Sequence, residues 1–245
     1  MKKSAIVLMM CLAAGLCFTS CTKKEKELIV KPATIADDWD SWAFTWNEAH
    51  TQCTTVNRNN GERVWNLDYS TANTVKITGY STMTITLGSN GYASKYADEW
   101  GDTFEYTYDA EGHMTKVTRS GEVRSNIVWT GGNMTSWSKF DTNDSGATVE
   151  YKKTHTYSTV ANLAGIYEVY CEKAGAPRWL FETGLFGKPN AYLCATNKWD
   201  YSETTSNLSY TFDSYNCPLK MTKTYGEDTE NFSWTYNYIQ VPDAK

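Results

Sequence analysis

The feature that most constrains this chain is a two-residue alternation of aromatic and small polar side chains, broken at intervals by turn residues. Phe232, Trp234, Tyr236 and Tyr238 fall on one parity, and Ser233, Thr235 and Asn237 on the other. An extended backbone therefore puts all four rings on one face. Phe104, Tyr106 and Tyr108 alternate in the same way with Thr103, Glu105 and Thr107. Val149, Tyr151 and Tyr157 alternate with Thr148, Glu150 and Thr154, although Lys153 and His155 interrupt the apolar side. Between such runs stand Asn60-Gly61, Asn90-Gly91, Glu111-Gly112, Gly131-Gly132 and Ser145-Gly146, which are turn signals. The pattern predicts a chain of hairpins.

The hairpins recur. Gly91-Tyr92-Ala93-Ser94, Gly112-His113-Met114-Thr115 and Gly132-Asn133-Met134-Thr135 share nearly one wording, their glycines 21 and then 20 residues apart. Residues 104–120 also align without gaps on residues 208–224, with identities at Tyr106/Tyr210, Thr107/Thr211, Asp109/Asp213, Lys116/Lys220 and Thr118/Thr222. Asn216 falls opposite Gly112, and Asn is the usual substitute for Gly at a left-handed turn position. A single hairpin cannot bury its own apolar face, so repeats of about 20 residues must stack on their neighbours. The expected fold class is all-β: an antiparallel meander of hairpin repeats forming a strongly curved sheet or a closed barrel.

Composition fits that reading. Leu, Ile, Val and Phe together make up only 40 of the 245 residues. So low a share signals disorder only beside a high net charge, and the net charge here is −5. The 10 Trp, 17 Tyr and 8 Phe replace the missing aliphatics, each burying roughly 150–250 Å². With a pI near 5.3, binding to nucleic acid through a basic face is not expected.

Lys2 and Lys3 precede an apolar stretch from Ala5 to Phe18, too short to span a membrane as a helix and suited to the core of a signal peptide. The Phe18-Thr19-Ser20-Cys21 that follows resembles the lipobox of bacterial lipoproteins, with Phe18 where an aliphatic residue is usual. The resemblance implies that residues 1–20 are removed and that Cys21 carries lipid, an anchor to the membrane; simple secretion is the alternative. Residues 21–36 then form the lipidated terminus and a charged tether, and residues 37–245 a single hairpin-repeat domain. Cys53, Cys171, Cys194 and Cys217 are an even set in an oxidising compartment. Disulfides and buried free thiols are both open to them. No C-x-x-C pair is present and His50, His113 and His155 are scattered, so neither a metal nor a cofactor is expected.

Residues 159–200 lack the hairpin rhythm. Leu163, Ile166, Tyr167 and Tyr170 recur at helical spacing, with Gly175 and Pro177 as stop signals, which predicts a helix over roughly 160–173 inside a helix/loop insert at about 160–190. The insert either plugs one mouth of the sheet or forms a lid over a ligand cleft. Trp39, Trp179, Phe181 and Phe186 are the candidate ligand-binding aromatics. The chain holds no GxSxG, HExxH, P-loop or dinucleotide fingerprint. The best acid cluster, Asp37-Asp38-Trp39-Asp40, motivates the one enzymatic alternative, a polysaccharide hydrolase using an Asp/Glu pair.

The Tyr-x-Tyr-Asp…Gly-x-x-x-Lys wording of residues 106–116 resembles the tyrosine-aspartate (YD/RHS-like) hairpin repeats of large bacterial surface proteins. Taken in order, residues 106–120, 128–137, Asn162 to Ile166, Gly184 to Lys188 and 210–224 with the closing 234–238 resemble a family of uncharacterised bacterial envelope lipoproteins with a porin-like fold. The resemblance implies a curved or closed antiparallel sheet in an outer-membrane lipoprotein and no established activity. The expectation for function is a non-enzymatic binding, adhesion or scaffold module facing the periplasm or the cell surface, with a glycan or an envelope protein as partner. The second face of the strands is Thr, Ser, Asn, Lys and Glu, so "porin-like" reads as a shape and not as a lipid-facing pore.

Overall fold

The computed structural model describes residues 28–142 and 145–240. The expected signal peptide, Cys21 and the charged run after it lie outside these residues. Sixteen strands follow one another: β1 Leu28–Asp37, β2 Ser41–Trp46, β3 Cys53–Arg58, β4 Arg63–Asp68, β5 Thr74–Gly79, β6 Met83–Leu87, β7 Ala93–Ala97 and β8 Thr103–Tyr108. The second half contains β9 Met114–Arg119, β10 Glu122–Thr130, β11 Asn133–Thr142, β12 Thr148–Ala161, β13 Tyr192–Trp199, β14 Ser206–Phe212, β15 Pro218–Tyr225 and β16 Asp228–Gln240. Each pairs antiparallel with its chain neighbours, and β1 pairs with β16, so the sheet is a closed barrel. The all-β expectation holds, and closure decides between its two forms.

Closure rests on a strand that the sequence assigned largely to the tether. Leu28–Asp37 is not a linker: it pairs with β16 from Leu28↔Gln240 to Asp37↔Phe232, with a bulge between Pro32 and Thr34. Ile35 is buried opposite Trp234, and Trp46 Nε1 donates to the Pro32 carbonyl at 2.8 Å. The domain therefore starts at least nine residues earlier than expected.

Alternation sets the inside and outside of the wall. Phe104 and Tyr106 of β8, Trp137 of β11 and Trp234 of β16 are buried. On β12 the outward Thr148, Glu150, Lys152, Thr154 and Thr156 are all exposed. The two stretches that align in sequence fold alike. Asp109 Oδ1 accepts from the His113 backbone N–H at 2.8 Å, and Asp213 Oδ1 from that of Cys217 at 2.9 Å. Gly112 and Asn216 both take positive φ, +93° and +61°, as their alignment requires.

Because every strand reverses direction, the barrel has two distinct rims. The lower rim holds Leu28 and Gln240; the upper rim holds the turns after β1, β3 and each odd-numbered strand to β15. Residues 162–191, between β12 and β13, enter from the lower rim and fill the interior. Near that rim the Ala191 N–H donates to the Gly132 carbonyl and the Lys188 N–H to that of Gly112, each at 2.9 Å. At its far reach the insert accepts a bond from Tyr106 Oη on Ala174 O at 2.7 Å and pairs Lys173 Nζ with Asp141 Oδ1 at 3.0 Å.

The insert is a plug, as one of its two readings had it, but not the helix expected over 160–173. β12 runs on to Ala161, and Asn162 then replaces helical bonds with its side chain, accepting from Ile166 N at 3.1 Å and donating to Ile166 O at 2.9 Å. Gly165 takes φ +62°, which a right-handed helix does not admit. The one α-helix among the described residues, α1 Arg178–Phe181, comes later and has four residues.

Candidate functional site

Three of the four aromatics singled out in the sequence belong to the plug's packing. Trp179, Phe181 and Phe186 are buried; Trp179 meets Trp65 at 5.1 Å between ring centres, and Phe186 meets Phe181 at 4.9 Å and Tyr106 at 5.3 Å. They have no free face for a ligand. Trp39 is 89% exposed, in the upper-rim turn after β1. That turn is tied to β16 by the Asn231 N–H donating to Asp38 Oδ2 at 2.9 Å.

The acids beside Trp39 are engaged in building the turn. Asp37 Oδ1 accepts from the backbone N–H groups of Trp39 and Asp40 at 2.9 and 2.8 Å, and Asp40 holds Arg58 through two contacts of 2.7 and 2.5 Å. The four cysteines are all free and buried, so the disulfide alternative falls. The Cys171 thiol donates to Ser125 Oγ at 3.1 Å, and burial pushes it up to about 11 despite that contact, leaving a small apolar side chain and not a reactive thiolate.

A polar cleft opens at the upper rim, between the plug and β12 to β16. Its outer part, about 290 Å³, is lined by Lys153, Asn197, Trp199, Lys223, Tyr225 and Glu230, among others. An inner part of about 210 Å³ shares Lys153, Asn197, Lys223 and Glu230 and adds Glu168, Tyr170, Arg178, Leu208, Met221 and Phe232. The wall residues get there by parity: Lys153 lies on the inward side of β12 with Tyr151, Lys223 with Met221 on β15, and Glu230 with Phe232 on β16. Lys153 Nζ pairs with Glu172 Oε1 at 3.0 Å and stands 5.1 Å from the Trp199 ring centre. Lys223 Nζ pairs with Glu230 Oε2 at 2.8 Å.

The plug contributes two polar groups that the protein leaves incomplete. Glu168 is 6% exposed; its Oε1 accepts from the Cys194 N–H at 3.2 Å and from Asn190 Nδ2 at 3.4 Å, while Oε2 has no partner. Arg178 has its guanidinium carbon 4.1 Å from the Phe232 ring centre and 5.7 Å from that of Tyr170, with Nε unpartnered. Each such group costs about 1–3 kcal/mol if nothing meets it. Burial, helped by the Glu182 charge, holds the Glu168 carboxyl up at about 8, against the bonds from Cys194 and Asn190. Glu182, bonded by the Tyr167 N–H at 3.3 Å, is raised by burial to about 7, with Arg178 opposing. His155 is driven down to about 3 by burial and then by the Lys153 charge, and both its ring nitrogens lack partners.

Sequence reasoning missed Glu168, Arg178, Asn197, Lys223 and Glu230. A signal existed for the wall: charges at positions of inward parity, as Lys153 and His155 already showed. No comparable signal existed for the plug, whose path is not periodic.

Fold and site together define a closed, plugged sixteen-stranded barrel with a polar outer face and a charged, aromatic-walled cleft at one mouth. The chain is similar in structure to a porin-like protein from Bacteroides uniformis ATCC 8492, with a TM-score of 0.62 and 18% identity over 84% of this chain and 96% of that one. It is also similar to a porin-like protein from Bacteroides vulgatus ATCC 8482, with a TM-score of 0.57 and 12% identity over 84% and 99%. The porin-like fold expected from the sequence is thus borne out; at these identities the likeness speaks for the fold alone. No family model matches the chain, and no curated protein matches its sequence.

Proposed function

We propose that this chain is a lipid-anchored bacterial envelope protein that binds a polar ligand, a glycan or part of an envelope protein, at its upper-rim cleft and carries out no chemistry on it. The observation that carries the reading is the position of that cleft: it opens at the rim opposite Leu28, so an anchor at Cys21 leaves the mouth pointing away from the membrane. Trp39 and Trp100, 89% and 81% exposed, sit on turns of the same rim, and exposed aromatics are favoured at recognition surfaces. The outward row of β12, Thr148, Glu150, Lys152, Thr154 and Thr156, suits water and not the apolar band of a lipid-facing barrel. A plugged interior likewise argues for binding over conduction.

The test has two arms. In a bacterial host that processes lipoproteins, the full-length chain is expected in the membrane fraction and its Cys21→Ser variant in the soluble fraction. Arrays of glycans and of envelope peptides are expected to yield a ligand whose binding is lost in Trp199→Ala. Identical fractionation of the two chains contradicts the anchor, and binding that ignores Trp199→Ala contradicts the cleft.

A further inference from the structure

We infer that the inner end of the cleft is a subsite for one unit of a neutral saccharide, held between Glu168 and Arg178. The inference rests on the binding reading above and names the class of ligand. Both side chains reach the cleft from the plug, and the protein leaves both unfinished: one carboxyl oxygen of Glu168 and Nε of Arg178 have no partner. The other cations on this wall are already matched, Lys153 by Glu172 at 3.0 Å and Lys223 by Glu230 at 2.8 Å. An occupant must therefore offer a group to a carboxyl and an acceptor to a guanidinium within one small space.

Charge decides among occupants. Burial holds the Glu168 carboxyl up at about 8, so it carries little charge at neutral pH. Each cation around it already faces an acid, Lys153 with Glu172, Lys223 with Glu230 and Arg178 with Glu182, so neither an anion nor an ammonium meets an unmatched charge. Neighbouring hydroxyls of a sugar ring both donate and accept, and meet the two groups together. Leu208 and Met221 give the C–H face of the ring an apolar wall. Trp199 and Tyr225 line the outer space of about 290 Å³, which leaves room for a following unit, and the whole is of small-ligand size.

The test is calorimetric titration of the full-length protein with D-glucose, D-galactose, N-acetyl-D-glucosamine and D-glucuronate, beside an array of neutral and uronic-acid oligosaccharides. Saturable binding of a neutral saccharide is expected. Arg178→Met keeps an apolar stem against Phe232 and removes the donors. It should weaken binding at least about tenfold, the size of one hydrogen bond to a charged group, in a protein that still unfolds in one cooperative transition. Glu168→Gln retains a donor and an acceptor and should still bind, whereas Glu168→Leu should not. Lys76→Ala, on the outer face of β5, should bind as the parent does. Preference for uronates, equal binding by Arg178→Met and Glu168→Leu, or no saccharide bound at millimolar concentration overturns the inference. In the last case, a peptide ligand lost in Trp199→Ala rejects the saccharide and leaves the binding reading standing; the absence of any ligand rejects both.

Discussion

Glu168 makes stability depend on pH in a direction that can be worked out. Its carboxyl is raised by burial to about 8, and that of its neighbour Glu182 to about 7, against an unfolded value of about 4.3. The folded state thus holds protons that the unfolded chain gives up, and stability falls as pH rises from about 4 through 8. His155 acts in the opposite sense: its folded value of about 3 lies below the unfolded value of about 6.5, so its contribution is full above that pH and fades as pH drops. Replacing Glu168 by Gln removes its share of the first dependence and leaves that of Glu182. Thermal unfolding followed by circular dichroism should show Glu168→Gln close to the parent at pH 5 and several degrees higher at pH 8.5, at roughly 2–4 °C per kcal/mol for a chain of this size. Profiles that overlay at every pH would show that Glu168 is not buried as described.

At the scale of the element, the plug explains both what the sequence disclosed and what it withheld. Its location was legible because residues 159–200 break a rhythm kept almost everywhere else. Its conformation was not. Helical spacing of apolar residues is a guide where one stripe of an element faces a core, but the plug is walled on all sides: Ile166, Tyr167, Glu168 and Val169 are buried in succession, while Leu163 is exposed. For the same reason Trp179, Phe181 and Phe186 looked like a recognition patch and are packing. Phe186→Ala should therefore destabilise by about 3–5 kcal/mol, lowering the unfolding midpoint by on the order of ten degrees. If the midpoint holds and only ligand binding is lost, Phe186 belongs to a ligand surface after all. The wall of the cleft lay within reach of the sequence, since Lys153, His155 and Glu230 break an inward aromatic row. Glu168 and Arg178 did not, because only the folded path of the plug brings them to that wall.

For the whole molecule, the low aliphatic content and the closed barrel are one fact. Rings on alternate positions fill the lumen together with the plug, and Thr, Ser, Asn, Lys and Glu cover the outside. Closure itself was hidden in β1, whose Leu28–Asp37 carries a proline, a bulge and no aromatic alternation, and so read mainly as tether. Once β1 joins β16, both ends of the described chain fall on the lower rim and the cleft on the upper, and that polarity underlies the proposed role. That polarity and the cleft's shape depend above all on the insert being a plug and not a mobile lid. Hydrogen exchange of the full-length protein, resolved by peptide, tests this most directly. Amides of residues 166–187 should exchange as slowly as those of β10 to β13, because they open only with the barrel. Exchange of that segment on the fast timescale of the rim turns, with the strands still protected, would contradict it.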